Sequence, residues 1–167
     1  MTDMPEKPEK WPGASSEYLL QAVLAVLTEE TSEIRLQNKK RESVPLSIVR
    51  TYIDPTNYDD HMPAVFVRFT GWTQERLDDG AEQRIGNVEI TLGVFLEEYS
   101  ADEWASSLMD RIGHRLLSNR IVDGKYRLVL PLTWTVNDNE DQPYPYWFAT
   151  MPAAWYMPAI GEETPEL

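Results

Sequence analysis

The stretch YRLVLPLTWTV, residues 126–136, places Tyr126, Leu128, Leu130, Leu132, Trp134 and Val136 at every second position. That period marks a strand with one buried face. A polar turn, NDNEDQP, leads to residues 144–156, YPYWFATMPAAWY. Here Trp147, Ala149, Met151, Ala153 and Trp155 alternate with Tyr146, Phe148, Ala154 and Tyr156, so both faces are largely apolar. A strand of that kind is either central in its sheet or meets another subunit. The two stretches are expected to pair as a C-terminal hairpin, the core against which the earlier strands and helices pack.

The segment before this hairpin carries the clearest helical signal in the chain. Ser100-Ala-Asp-Glu103 is a capping box, in which the serine side chain accepts from the Glu103 amide and the glutamate reaches back. It opens a helix over 101–118, with Trp104, Leu108, Met109, Ile112, Leu116 and Leu117 on one apolar face that is expected to lie on the sheet. Asp123-Gly124 reads as a tight turn into the strand at 126. Upstream, NVEITLGVFL, residues 87–96, alternates as a strand in which Gly93 marks a bulge or a close approach. AVFVRFT, residues 64–70, is another strand, entered through Pro63.

Between these two strands, residues 71–86 read GWTQERLDDGAEQRIG. They are polar, flanked by glycines and long for a connection within a domain. Because it joins neighbouring strands, the segment is expected to project as a hairpin arm. LSIVRTYI, residues 46–53, is β-branched and aromatic enough for a further strand, and the long loop DPTNYDDHMP follows it. Residues 31–44 are polar, with a basic cluster at Lys39, Lys40 and Arg41 that reads as a solvated loop ahead of two alternatives, a nucleic-acid contact or a salt-bridge partner for an acidic neighbour. A first helix over 17–30, capped by Ser15 or Ser16, presents Tyr18, Leu19, Ala22, Val23, Val26 and Leu27; Leu20 and Leu24 widen that stripe, so it should be unusually buried.

The expected architecture is α+β in two layers: a mainly antiparallel, twisted sheet of about five strands packed against two helices. The 167 residues fit one domain over 15–157. Residues 1–14 hold three prolines and alternating charge, the composition of a disordered arm. Residues 158–167 read as an acidic, flexible tail. No signal peptide is read at the amino end, and no run of about 18 apolar residues is present to span a bilayer.

Fifteen basic residues against 28 acidic ones give a net charge of −13. A surface that acidic repels phosphate backbones and anionic lipid, which argues against specific nucleic-acid or membrane binding. The chain has no cysteine, which removes disulfides, thiolate nucleophiles and cysteine metal sites. Asp110 and His114 are spaced i, i+4 on the second helix, but with two histidines in the chain no third metal ligand is nominated, and the pair reads as a helix-surface contact. Asp54, Asn57, Asp59, Asp60 and His61 share a loop that lacks the ligand order of a calcium site. No nucleophile elbow, phosphate loop or dinucleotide fingerprint occurs. An enzyme built on carboxylates alone remains as a remote reading that requires two acids converging in a pocket. Neither catalytic residues nor a cofactor or metal site are nominated. The candidate contact residues are Trp72, Arg76 and Leu77 in the arm, an apolar-and-basic set within a polar loop, and Trp155 and Tyr156 near the chain end.

The order of elements and several phrases resemble a known family. A helix, a strand ending in YID, MPAVFVRF, a long polar arm, VEITLGVF, LMDRIGHRLLSNRIV and the closing PLTWTVNDNEDQPYPYWFATMPAAWYMPAI are similar to the tail terminator, or tail-completion, proteins of long-tailed bacteriophages and prophages. The resemblance covers about residues 17–160. It implies a non-enzymatic structural protein that assembles, commonly as a hexameric ring, on the end of the tail tube. Its implied partners are its own copies, the tail-tube protein and the head connector or head-closure protein, with DNA passing through unbound. Its implied place is the virion neck, assembled in the host cytoplasm. A head-closure or connector protein is the alternative within the same class. The family brings no ligand motif, so no residue is assigned a role from it.

Overall fold

The computed structural model describes residues 15–50, 58–96, 101–137 and 145–163. The expected arm over 1–14, the Ser100 cap, the first part of the 54–63 loop and the end of the expected tail lie outside them. Helix α1, Ser15–Thr31, buries Leu19, Leu20, Ala22, Val23, Val26 and Leu27 of the expected apolar stripe but leaves Tyr18 exposed at its margin. Helix α2 runs Ala101–Ser118. It buries Ala105, Leu108, Met109, Ile112 and Leu116 but leaves Trp104 and Leu117 exposed at the margins of its apolar face.

Among the described residues the strands are β1 (Arg35–Gln37), β2 (Ser43–Pro45), β3 (Ser47–Val49), β4 (Ala64–Arg76), β5 (Glu82–Phe95), β6 (Ile121–Val122), β7 (Tyr126–Leu128), β8 (Thr135–Val136) and β9 (Tyr146–Met157). The main sheet has seven strands in the order β3-β4-β5-β9-β7-β6, with β8 also on β9. The architecture is therefore α+β and mostly antiparallel, as expected, with more strands than the five read from sequence. Of these strands only β3 pairs in parallel, with β4, and β1–β2 form a separate hairpin within the segment expected to be a loop.

Strand β9 is central. It pairs with β5 from Tyr146 to Met157 on one side and with β7 and β8 on the other. Its face carrying Trp147, Ala149, Met151, Ala153, Trp155 and Met157 enters the main core. On the opposite face Phe148 joins Phe66, Phe95, Met62 and Ala64 in a second apolar cluster, while Pro152 and Tyr156 are exposed.

The strand expected over 126–136 is interrupted. β7 ends at Leu128, with the Val129 amide still donating to the Ala154 carbonyl of β9 at 2.8 Å, and pairing resumes at Thr135, with Pro131, which has no amide to donate, between the two parts. The Leu130–Pro131 peptide is cis. Alternation survives the interruption in part: Tyr126 and Leu128 are buried and Leu132 and Trp134 pack on the core, but Leu130 and Val136 are about half exposed. The turn at Asp123-Gly124 has both residues at positive φ, 51° and 63°, and is closed by the Lys125 amide donating to the Val122 carbonyl at 3.1 Å; because Val122 pairs with Tyr126, three residues connect β6 to β7.

Candidate interaction surface

The segment read as a polar loop over 71–86 is the outer half of one long β-ribbon. β4 and β5 stay paired from Ala64↔Gly93 to Arg76↔Glu82. The turn is closed by the Leu77 amide donating to the Ala81 carbonyl at 2.7 Å and the Gly80 amide donating to the Leu77 carbonyl at 2.9 Å. Asp79 Oδ1 accepts from the Ala81 amide at 2.9 Å, and Gly80 takes φ +86°, a conformation open to glycine. The register slips once, between Phe69 and Gly71, and such a bulge bends and twists the ribbon relative to the sheet.

At the base of the ribbon the inner face carries Trp72, Gln74 and Arg84, since Trp72 pairs with Gly86 and Gln74 with Arg84. Arg84 is 3% exposed. Its guanidinium lies 4.3 Å from the Trp72 ring centroid, a cation–π contact, and its Nη1 donates to Ser15 Oγ at the start of α1 at 2.8 Å. Its Nε has no acceptor among the described residues. Burial holds its pKa below the usual arginine value, opposed by the nearby Tyr126 phenol. Burial likewise raises the Tyr126 phenol, with Asp123 and Tyr18 adding to the effect. Farther along the ribbon, the Glu82 carboxylate lies 3.8 Å from Arg76 and 3.5 Å from Gln74. Trp155, whose register partner is Gly86, holds a second buried donor, Nε1, without an acceptor among the described residues.

Gln74 has a further task. Its Nε2 donates to the Ile160 carbonyl and its Oε1 accepts the Ile160 amide, both at 2.9 Å. The chain leaving β9 is thereby pinned beside Arg84, so the segment expected to be a flexible tail is held at Ile160.

The contact candidates from sequence do not form one patch. Trp72, 46% exposed, and Arg76 and Leu77 all lie on the ribbon or its turn. Tyr156, 37% exposed, pairs with Ile85 and therefore faces the other side of the sheet from Trp72. Trp155 is a correction: at 0% exposure it belongs to the core and offers no surface to a partner. Its period-two position beside Tyr156 sends one ring in and the other out. Sequence reading missed Arg84 and Gln74, whose partners Ser15 and Ile160 lie 69 and 86 residues away. No local spacing signals contacts of that range.

A cleft of about 470 Å³ lies between the β1–β2 hairpin and the segment ahead of β4, lined among others by Lys39, Lys40, Asp59, Asp60 and His61. Lys39 Nζ sits 3.4 Å from Asp59 and 3.6 Å from Asp60, so part of the basic cluster serves as a salt-bridge partner for acidic neighbours. The hydrogen bond to Asp59 raises the Lys39 pKa. Asp110 accepts from Trp134 Nε1 at 3.1 Å, so its bond goes to the indole of the 126–136 stretch. Among the described residues no group of three or more acidic or histidine side chains is arranged to hold a metal, and no helix is long and apolar enough to cross a membrane. No family model matches the sequence, and no curated protein matches it.

Proposed function

We propose that this chain is a structural assembly protein of a long-tailed bacteriophage or prophage: a tail terminator that forms a ring, six-membered by resemblance, on the end of the tail tube. In that place it stops tube growth and offers the surface on which the head connector docks. The observation that carries the reading is the β4–β5 ribbon, which carries exposed Arg76 along its length and half-exposed Trp72 at its base. A head-to-tail ring needs two different patches on each copy, and a protruding ribbon beside an exposed aromatic base supplies them. The net charge of −13 suits a channel wall past which DNA moves without sticking.

The test is deletion of the gene followed by electron microscopy of the particles. Tails of irregular, extended length that fail to join heads are expected, with the protein located on isolated wild-type tails. Tails of normal length joined to heads would overturn the reading. Finding the protein on DNA-filled heads in place of tails would move it to the head-closure alternative.

A further inference from the structure

Arg84 is a buried cation in a chain of net charge −13, and no carboxylate among the described residues pairs with it. Its hydrogen bond goes to a neutral hydroxyl, Ser15 Oγ. That hydroxyl opens α1, a helix of 17 residues, whose first-turn amides and dipole also favour an anion. Glu17, the acid in that first turn, is committed to Arg50, accepting from Nη2 at 2.7 Å. With the Arg84 Nε also lacking an acceptor, the corner holds donors in excess and is short of a carboxylate. Such imbalance at a buried charge is costly unless a partner arrives.

The ribbon carries the complement at its other end. Asp78 and Asp79 sit on its exposed turn; Asp79 caps the turn through one oxygen, and Asp78 has no ion pair among the described residues. From Arg84 to Gly80 the ribbon spans roughly 14 Å at about 3.4 Å per residue. A hydrogen-bonded ribbon does not fold back over that distance to its own base, so the tip of one copy reaches this corner only on another copy. Tip and corner are different patches on one element, and repeating one tip-to-corner contact builds a head-to-tail assembly.

We propose that the surface formed by Trp72 and the N-terminus of α1, with the Arg84 charge buried beneath it, receives the Asp78–Asp79 ribbon tip of a second copy. This rests on the ring reading above and names the contact that builds it. Trp72, exposed and lying on the guanidinium, supplies the aromatic anchor beside the charge, the pairing typical of interface hot spots.

Since the chain has no cysteine, the contact is tested by disulfide trapping. Asp78→Cys and Ser16→Cys variants, mixed and oxidised, are expected to give a covalent dimer that neither gives alone. The double variant is expected to give a reducible ladder ending at the ring size. Asp78→Lys with Asp79→Asn, which keeps an Oδ1 acceptor for the Ala81 amide in the turn, should leave the circular dichroism unchanged and weaken self-association by about tenfold or more. Wild-type protein that sediments as an oligomer while the cysteine variants do not cross-link would overturn the contact and leave the ring standing. Protein that stays monomeric and does not cross-link would overturn the contact and count against the ring in solution. A disulfide closing within one chain of the dilute double variant would overturn the claim that the tip acts in trans.

Discussion

Glu17 is held by two charge-assisted bonds from Arg50, and these set its titration. The hydrogen bonds from Arg50 lower its carboxyl below the ordinary 4.5, against the raising effect of burial. A carboxylate whose folded pKa is depressed stabilises the fold above the unfolded pKa and loses that contribution as pH falls through the folded value. Glu17→Gln should therefore lower stability by up to about 1 kcal/mol at neutral pH, a small figure because the Arg50 side chain is half exposed and solvent screens the pair. The deficit should stay constant down to the ordinary glutamate value and fade as pH falls from there through the folded one, as read by urea unfolding at several pH values. Two glycines make a sharper contrast. A Cβ on Gly93 would stand 2.9 Å from Phe148 Cε1 and 3.3 Å from Phe66 Cε2, so two packed rings would have to shift. Gly93→Ala should cost about 1–3 kcal/mol. A Cβ on Gly113 would meet only the flexible end of Met151 at 3.4 Å. Inside helix α2, Gly113→Ala should be neutral or stabilising by up to about 1 kcal/mol, which thermal unfolding would register.

At the scale of elements, β9 organises the molecule, and adjacent residues on it should respond in opposite ways. Trp155→Ala empties space in the main core and should cost about 3–5 kcal/mol. Tyr156→Ala, on the open face, should change the stability of the isolated chain by less than about 0.5 kcal/mol. Equal losses at both positions, measured by urea unfolding, would show that the outer face of β9 is as structural as the inner. The centrality of β9 is legible in the sequence because a strand apolar on both faces must be covered on both, and a middle position in the sheet covers it. The limits of α2 are legible from its helical period. The ribbon reads as a loop because one face of its outer half meets solvent and the positions buried on the other, Arg84 and Gly86, are a charge and a glycine, so no apolar alternation survives to announce a strand. The 126–136 stretch errs in the opposite direction: its alternation is genuine at Tyr126, Leu128, Leu132 and Trp134, but period alone does not reveal that Pro131 removes a ladder donor. The hairpin of β1 and β2 has strands of three residues each, too short to display a period. The candidate surface is half legible. Trp72 announces itself as an aromatic within a polar segment, whereas Arg84 looks in the sequence like any other charge on the arm.

At the scale of the whole molecule, the charge and the proposed assembly pull against each other. Copies bearing −13 each repel over a distance set by salt, with a Debye length of about 10 Å at 0.1 M and about 30 Å at 0.01 M. The attraction between an acidic ribbon tip and the Arg84 corner acts over a few ångströms, within a contact that excludes water, and is screened much less. Adding salt therefore removes repulsion among many surface charges before it weakens the one buried pairing. Self-association should strengthen as ionic strength rises from about 0.01 M to about 0.1 M, which sedimentation velocity at fixed protein concentration would detect as a shift toward larger species. In the Asp78→Lys, Asp79→Asn variant the repulsion falls because the net charge becomes −10, from −13 plus three units, yet the specific pairing is gone. That variant should remain the weaker associator at every salt concentration. If it associates more tightly than wild type at low salt, bulk repulsion outweighs the ribbon contact, and the copies meet through another surface.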